Sequence, residues 1–325
     1  MLRGVLIALG ASLLLLLLLL AALYVRGRQL MAEKETDPGN ELPPDVPGRL
    51  IRVDDHRVHV VERGDGPPLL LVHGTGGTTL DWEASVLDGL AETHRVVALD
   101  LYGMGFSERN DRFAYGFPLW ADEIAGTLDA LGIERASIIG QSLGGAIATF
   151  FAARYPARVD RVISVDSGPW LPPFMLLVLL PGSGEFILGR ADYWPQRPDQ
   201  PPSYAARLRQ VYRIVGTRRH LLRAIRGQFL QPGEYFRALS RVECPTLLIH
   251  GAADDIIPVR AAASLQRVIK DSRMVVLERA GHFSMQDSPR RFLEEARRFL
   301  DQEQHTNGSA RPAVEAAHRG AGSKE

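Results

Sequence analysis

Cysteine is nearly absent: Cys244 stands alone among 325 residues, which excludes an intrachain disulfide and a cysteine-based metal cluster. A lone thiol of this kind reads as a small buried hydrophobe. It leaves the redox compartment open, because a disulfide-free protein folds on either side of a membrane. Net charge is absent too, with 38 basic residues against 38 acidic ones. That balance gives no footing for nucleic-acid binding, so any electrostatic function has to be local. The chain also contains no internal repeat.

Charge is missing altogether from residues 4–25, "GVLIALGASLLLLLLLLAALYV", a run long enough to cross a ~30 Å hydrocarbon layer as a helix. Residues 1–28 are therefore expected to be a membrane anchor. The rival is a cleaved signal peptide, but the run exceeds the usual ~7–15 apolar residues and no A-x-A site follows it. Two rules disagree on orientation. Arg26, Arg28 and Lys34 outnumber Arg3 and favour a cytoplasmic body, whereas a short amino-terminal tail kept inside would export it. Residues 29–48, polar and proline-rich, are expected to be a tether. Residues 303–325 read as a disordered tail, in which Asn307-Gly308-Ser309 fits the glycosylation acceptor pattern.

Between these limits, short runs rich in Val, Ile and Leu recur at 69–74, 95–100, 136–140, 161–166, 245–251 and 274–278. They read as strands buried on both faces. Segments of helical length and period, such as 121–132, separate most of them, and 288–300 follows the last. This alternation predicts an α/β fold with a mainly parallel sheet and helices on both faces. A leading hairpin is expected to turn at Asp54-Asp55. From residue 168 to about 241 the alternation stops, and an inserted, mostly helical cap is expected. Its first part is strongly apolar. Its second, 203–241, carries nine arginines against the single acid Glu234, which either attract anionic lipid headgroups or are solvated helix faces.

Gly140-Gln141-Ser142-Leu143-Gly144 fits G-x-S-x-G where a strand passes into a helix, as a nucleophile elbow requires. The plainer reading of Ser142 is a helix N-cap. Partners for it follow in the chain: Asp254 and Asp255 after the strand 245–251, and His282 after the last strand. Serine, acid and histidine would then all lie at the C-terminal edge of one parallel sheet.

On these motifs, residues 49–302 resemble the α/β-hydrolase superfamily. The resemblance implies an eight-stranded, mainly parallel sheet with a helical cap inserted after the sixth strand. It implies Ser142 as nucleophile, His282 as base and Asp254 as acid, since the family places its acid three residues after the strand-ending glycine, here Gly251. Asp255 is then a solvated turn residue, while Asp166 occupies a second position that some members use for the acid. Oxyanion donors are implied on the backbone N–H of Leu143 and on Thr75 in "HGTGG", with His73 supporting that loop. The segment 100–108, "DLYGMGFSE", matches the family's loop floor; its lone G-x-G lacks the rest of a dinucleotide fingerprint. Neither a cofactor nor a metal is implied.

Epoxide hydrolases and haloalkane dehalogenases of this superfamily need aspartate where Ser142 stands. The expected function is a serine hydrolase acting on small apolar carboxylic esters or related acyl compounds through an acyl-enzyme, attached to membrane lipid by its N-terminal helix. The alternatives are hydrolysis of a carbon–carbon bond in vinylogous diketones, cofactor-free perhydrolysis, and a non-catalytic binding module. Labelling by a fluorophosphonate, abolished in Ser142→Ala, is the outcome expected of an enzyme. A chain that does not react is a binding module.

Overall fold

The computed structural model describes residues 2–302 apart from Asn40, Ala84, 194–201 and Gln231. The tail 303–325, with its Asn307 triplet, lies outside the described residues. Eight strands form one sheet: β1 (Arg49–Val53), β2 (His56–Arg63), β3 (Pro68–Val72), β4 (Arg95–Leu99), β5 (Ala136–Gln141), β6 (Val159–Val165), β7 (Thr246–Gly251) and β8 (Ser272–Leu277). Their order is β1-β2-β4-β3-β5-β6-β7-β8. The β1/β2 hairpin turns where expected, with Asp54 at φ 51°, a left-handed conformation that aspartate tolerates in tight turns. β2 pairs antiparallel with β4, and every later pairing is parallel.

The continuous apolar runs are explained by two cores. Leu70, Val72 and Ile138 pack on one side of the sheet with Ile124 and Ile147, from the helices Phe117–Ala130 and Leu143–Arg154. Their chain neighbours Leu69, Leu71 and Ile139 pack on the other side with Phe292 and Phe299 from Pro289–Leu300. A strand whose alternate residues serve opposite cores has no polar face to show.

The cap enters between β6 and β7. Its described helices are Met175–Leu179, Ser183–Arg190, Pro202–Arg213, Thr217–Leu230 and Pro232–Leu239.

The N-terminal region differs from expectation in where its helix ends and in the residues that were expected to be a tether. One helix runs from Leu2 to Lys34, past the boundary expected at residue 28, and the following residues bind the cap. Lys34 Nζ donates to the carbonyls of Arg190 at 2.7 Å and Ala191 at 3.2 Å. The Glu35 carboxylate accepts the amides of Gly216 and Arg218, each at 2.8 Å. Val215 N donates to Asp37 O at 2.8 Å. The polar residues that suggested a solvated tether have their partners about 150 to 180 positions away in the chain, where no local pattern reveals them.

Glu35 also lies 3.6 Å from the guanidinium of Arg218, whose side chain is only 2% exposed. Glu35→Ala would leave that buried charge without its carboxylate and two amides without their acceptor. The expected cost is about 3–5 kcal/mol, measured as a lower denaturation midpoint of the full chain, with Glu35→Gln losing less. An unchanged midpoint in Glu35→Ala would show that this contact does not hold the cap.

Candidate active site

β5 ends at Gln141 and the next helix begins at Leu143, which leaves Ser142 alone at the apex with φ 53° and ψ −114°. A non-glycine residue there stores about 1–3 kcal/mol of strain. Hydrogen bonds hold it on both sides: Ser142 N donates to Val165 O at 2.8 Å, and Ser142 O accepts Ser167 Oγ at 2.7 Å and the amides of Gly145 and Ala146 at 3.0 and 3.2 Å. The flanking glycines follow from the close approach of backbone. A Cβ on Gly140 would overlap the Gly144 carbonyl, and one on Gly144 would overlap the Val72 carbonyl. The Ser142 side chain makes no capping hydrogen bond to the helix, so the plainer N-cap reading does not hold.

The structure brings Ser142, His282 and Asp254 together. His282 Nε2 lies 3.1 Å from Ser142 Oγ, and His282 Nδ1 lies 2.8 Å from Asp254 Oδ2. With Nδ1–H donated to the carboxylate, Nε2 is left as the acceptor of the serine proton. Asp254 is itself fixed, its Oδ1 accepting the amides of Ile256 at 2.9 Å and Ile257 at 2.8 Å. Asp255 is exposed in the same turn.

Asp166, the other candidate acid, does different work. It is fully buried and accepts Gly251 N at 2.9 Å and Ser284 N at 2.8 Å, tying the end of β7 to the segment just after His282. Burial pushes its carboxyl above the usual range, against the pull of His282 and the Ser284 amide. Asp166, His250 and Asp254 place possible ligand atoms within 4.8 Å of one another. Both carboxylates are already committed to amide donors, so the group is a polar scaffold beneath the serine and histidine.

Thr75 and Leu143 both lie next to the serine. Thr75 lines the cavity in front of Ser142, and Leu143 is buried directly behind it. Among the described residues, neither backbone amide is taken by a protein acceptor, which leaves both free to donate to an incoming oxygen. His73 supports their loop: its Nδ1 donates to Gly74 O at 2.7 Å, and its Nε2 accepts Leu101 N at 3.0 Å. Asp100 braces the floor by accepting Thr79 N at 2.7 Å and Phe106 N at 2.8 Å.

Three contacts were beyond sequence reasoning. Gln141 Nε2 donates to His282 O at 2.7 Å, Thr75 Oγ1 donates to Gln228 Oε1 of the cap at 3.1 Å, and the cap's Tyr204 hydroxyl donates to Asp81. Gln141 occupies a variable position of the pentapeptide motif, and the two cap residues carry no local signal.

The cavity at Ser142 holds about 70 Å³ and is walled by Trp170, Pro172, Phe174, Met175, Phe229 and Ile256. That is below the ~300–1,000 Å³ of typical ligand pockets, so the cap is closed down and a larger substrate requires it to move. Among the described residues, Asp81 is the only acid lining the cavity and no lysine or arginine lines it; burial pushes the Asp81 carboxyl up, against the Tyr204 hydroxyl. A larger hollow of about 640 Å³ opens between Val159, Thr246 and Ser272, at the opposite end of the strands from Ser142 and His282.

A model of the alpha/beta hydrolase family matches residues 69–295. The chain is 30% identical over 281 residues to the 2-hydroxymuconate semialdehyde hydrolase of Pseudomonas sp. strain CF600, covering 78% of this chain and 93% of that one. It is 28% identical over 276 residues to the 2-hydroxy-6-oxo-2,4-heptadienoate hydrolase of Pseudomonas putida, covering 78% and 96%. Among solved structures, a bacterial membrane phospholipase A superposes with a TM-score of 0.63 at 25% identity. That match covers 92% of this chain and 97% of the other, more than residues 49–325 alone can supply.

The two buried carboxylates are expected to separate by phenotype. Asp254→Asn removes the acceptor that fixes the His282 tautomer, and kcat on an aryl ester should fall about 10⁴-fold with the fold retained. Asp166→Asn should register mainly as a loss of about 1–3 kcal/mol in stability. The reverse pattern would transfer the acid's role to Asp166.

Proposed function

The chain belongs to the alpha/beta hydrolase family, and on that premise we propose that it hydrolyses apolar carboxylic esters through an acyl-enzyme on Ser142. The observation that carries this reading is the cavity: a serine and histidine in hydrogen-bond contact, enclosed by largely apolar walls with no lysine or arginine among the described lining residues. Such a site suits a neutral acyl group.

In the proposed reaction, His282 Nε2 takes the proton of Ser142 Oγ as the oxygen attacks the ester carbonyl. Asp254 stabilises the imidazolium, and the Thr75 and Leu143 amides receive the developing oxyanion. The imidazolium returns its proton to the departing alkoxide, which leaves as the alcohol. Water, deprotonated by His282, then attacks the acyl-enzyme and releases the acid and free Ser142.

A second reading is favoured by a specific observation: the two named sequence relatives are a semialdehyde hydrolase and a heptadienoate hydrolase. They support carbon–carbon bond hydrolysis more directly than ester hydrolysis. A dienoate brings a carboxylate, however, and the described lining residues offer it no lysine or arginine.

Membrane attachment through the N-terminal helix is part of the proposal. Residues 5–34 contain an apolar window with none of it buried against the rest of the chain, and the match to the membrane phospholipase A extends into this region. An apolar substrate would be concentrated in the same layer.

The test is a panel of p-nitrophenyl esters of increasing acyl length beside a 2-hydroxy-6-oxo-dienoate, with Ser142→Ala as control. Ester turnover that exceeds dienoate turnover, and that drops about 10⁴-fold or more in the variant, is expected. Faster cleavage of the dienoate than of any ester would establish the second reading instead.

A further inference from the structure

Two charge-free segments of the chain meet in space. One is residues 4–25 of the N-terminal helix, and the other is residues 167–184 of the cap. Gly182 abuts the backbone of Leu20, Gly27 abuts the backbone of Glu185, and Gly189 reaches Gly27 and Leu30. The two segments therefore meet at Leu20 and Gly182, from where the N-terminal helix continues along the cap helix Ser183–Arg190, and charge returns to both at one level. Arg26 follows Val25 on the helix, while on the cap Glu185 follows Gly184 and pairs with Arg226 at 3.0 Å. Leu20 lies about one and a half turns, roughly 7–8 Å, inside the end of the apolar run. If the helix spans a bilayer, whatever lies beside Leu20 is inside the hydrocarbon.

The cap residues leading into Gly182, which abuts Leu20, have the surface that this depth demands. Leu176 and Leu177 are each 56% exposed, Leu180 is 46% and Phe174 is 42% exposed, an apolar cluster of a kind that marks an interaction site on a soluble surface. The same segment walls the cavity, through Pro172, Phe174 and Met175. One face of it thus meets the surroundings while the other meets the space in front of Ser142.

We propose that the cap helix Met175–Leu179 and its flanks are immersed in the acyl layer, where they form the door through which the acyl chain of a bilayer-resident ester reaches Ser142. The proposal rests on the ester reading and on the membrane span, and it narrows the substrate class to lipids drawn laterally from the leaflet. The small cavity fits this arrangement, because the door has to part before a long chain enters.

The test uses the full chain in dioleoyl phosphatidylcholine vesicles. Leu177→Cys, in a Cys244→Ser background, carries an environment-sensitive fluorophore, and nitroxide lipids labelled on the acyl chain or on the headgroup act as quenchers. Stronger quenching from the acyl position is expected at 177. A label at Val268→Cys, 40% exposed after the helix Val259–Gln266, should be quenched by neither. Absence of acyl-chain quenching at 177 overturns the immersion.

The door is read with Leu176→Lys/Leu177→Lys, neither residue lining the cavity. Turnover of p-nitrophenyl palmitate dissolved in the vesicles should fall about tenfold or more, while turnover of p-nitrophenyl acetate in water stays within about twofold. Equal effects on the two esters overturn the door. If the unsubstituted chain turns over neither ester, the ester reading fails and the door with it, and the quenching still decides the immersion.

Discussion

Ser142 sits at a positive φ that its own side chain disfavours, and the arrangement around it depends on holding that one residue in place. β5 is held on both sides: Gly140 is level with Val72 of β3 and with Ser164 of β6, and the Ser142 amide is taken by Val165. A strand paired so completely cannot relax, so the strain falls on the apex, where it keeps Oγ clear of both strand and helix. The same crowding excludes side chains at Gly140 and Gly144. It also aims the start of the following helix, with its unused Leu143 amide, towards the cavity.

A serine held in this way is useful only if its partners are held as firmly. His282 comes from the loop after β8, and that loop is fastened on either side of the ring, by Gln141 Nε2 on the His282 carbonyl and by Asp166 on the amide of Ser284. Neither contact reaches the imidazole, yet together they fix where it lies. The buried polar residues under the sheet edge thus form a bracket for the loop, and Asp254 alone among the acids meets the ring.

The cap is tied down from two directions. Gln228 connects it to Thr75 of the oxyanion loop and Tyr204 to Asp81 just beyond that loop, while Lys34, Glu35 and Asp37 connect it to the N-terminal region. A motion that opens the cavity has to break or carry along the second set of contacts, which couples the cap to whatever layer the helix occupies. The α/β sheet carries Ser142 and His282, whereas the apolar walls of the cavity belong largely to this tied insertion.

Much of this was legible in the chain. Strands buried on both faces need unbroken apolar runs, so β3 through β7 announced themselves, and the glycines around Ser142 recorded the tight turn. The order of Ser142, Asp254 and His282 placed all three at one sheet edge before any coordinates. The docking of residues 29–37 was not legible, because polar residues look the same in a tether as in a contact with Arg218. The choice of Asp254 over Asp166 rested on the resemblance alone, since both follow strands, and it is Asp254 that lies 2.8 Å from the imidazole. Gln228 left no trace, its partner being 153 positions away. The sequence by itself determined which segments are strands, where the turn is tight and which residues carry reactive groups, because burial and backbone sterics act on near neighbours. Only the tertiary structure decided which acid meets the histidine, what the cap grips and how the apolar helix lies against it, because these rest on distances between segments that the chain order leaves free.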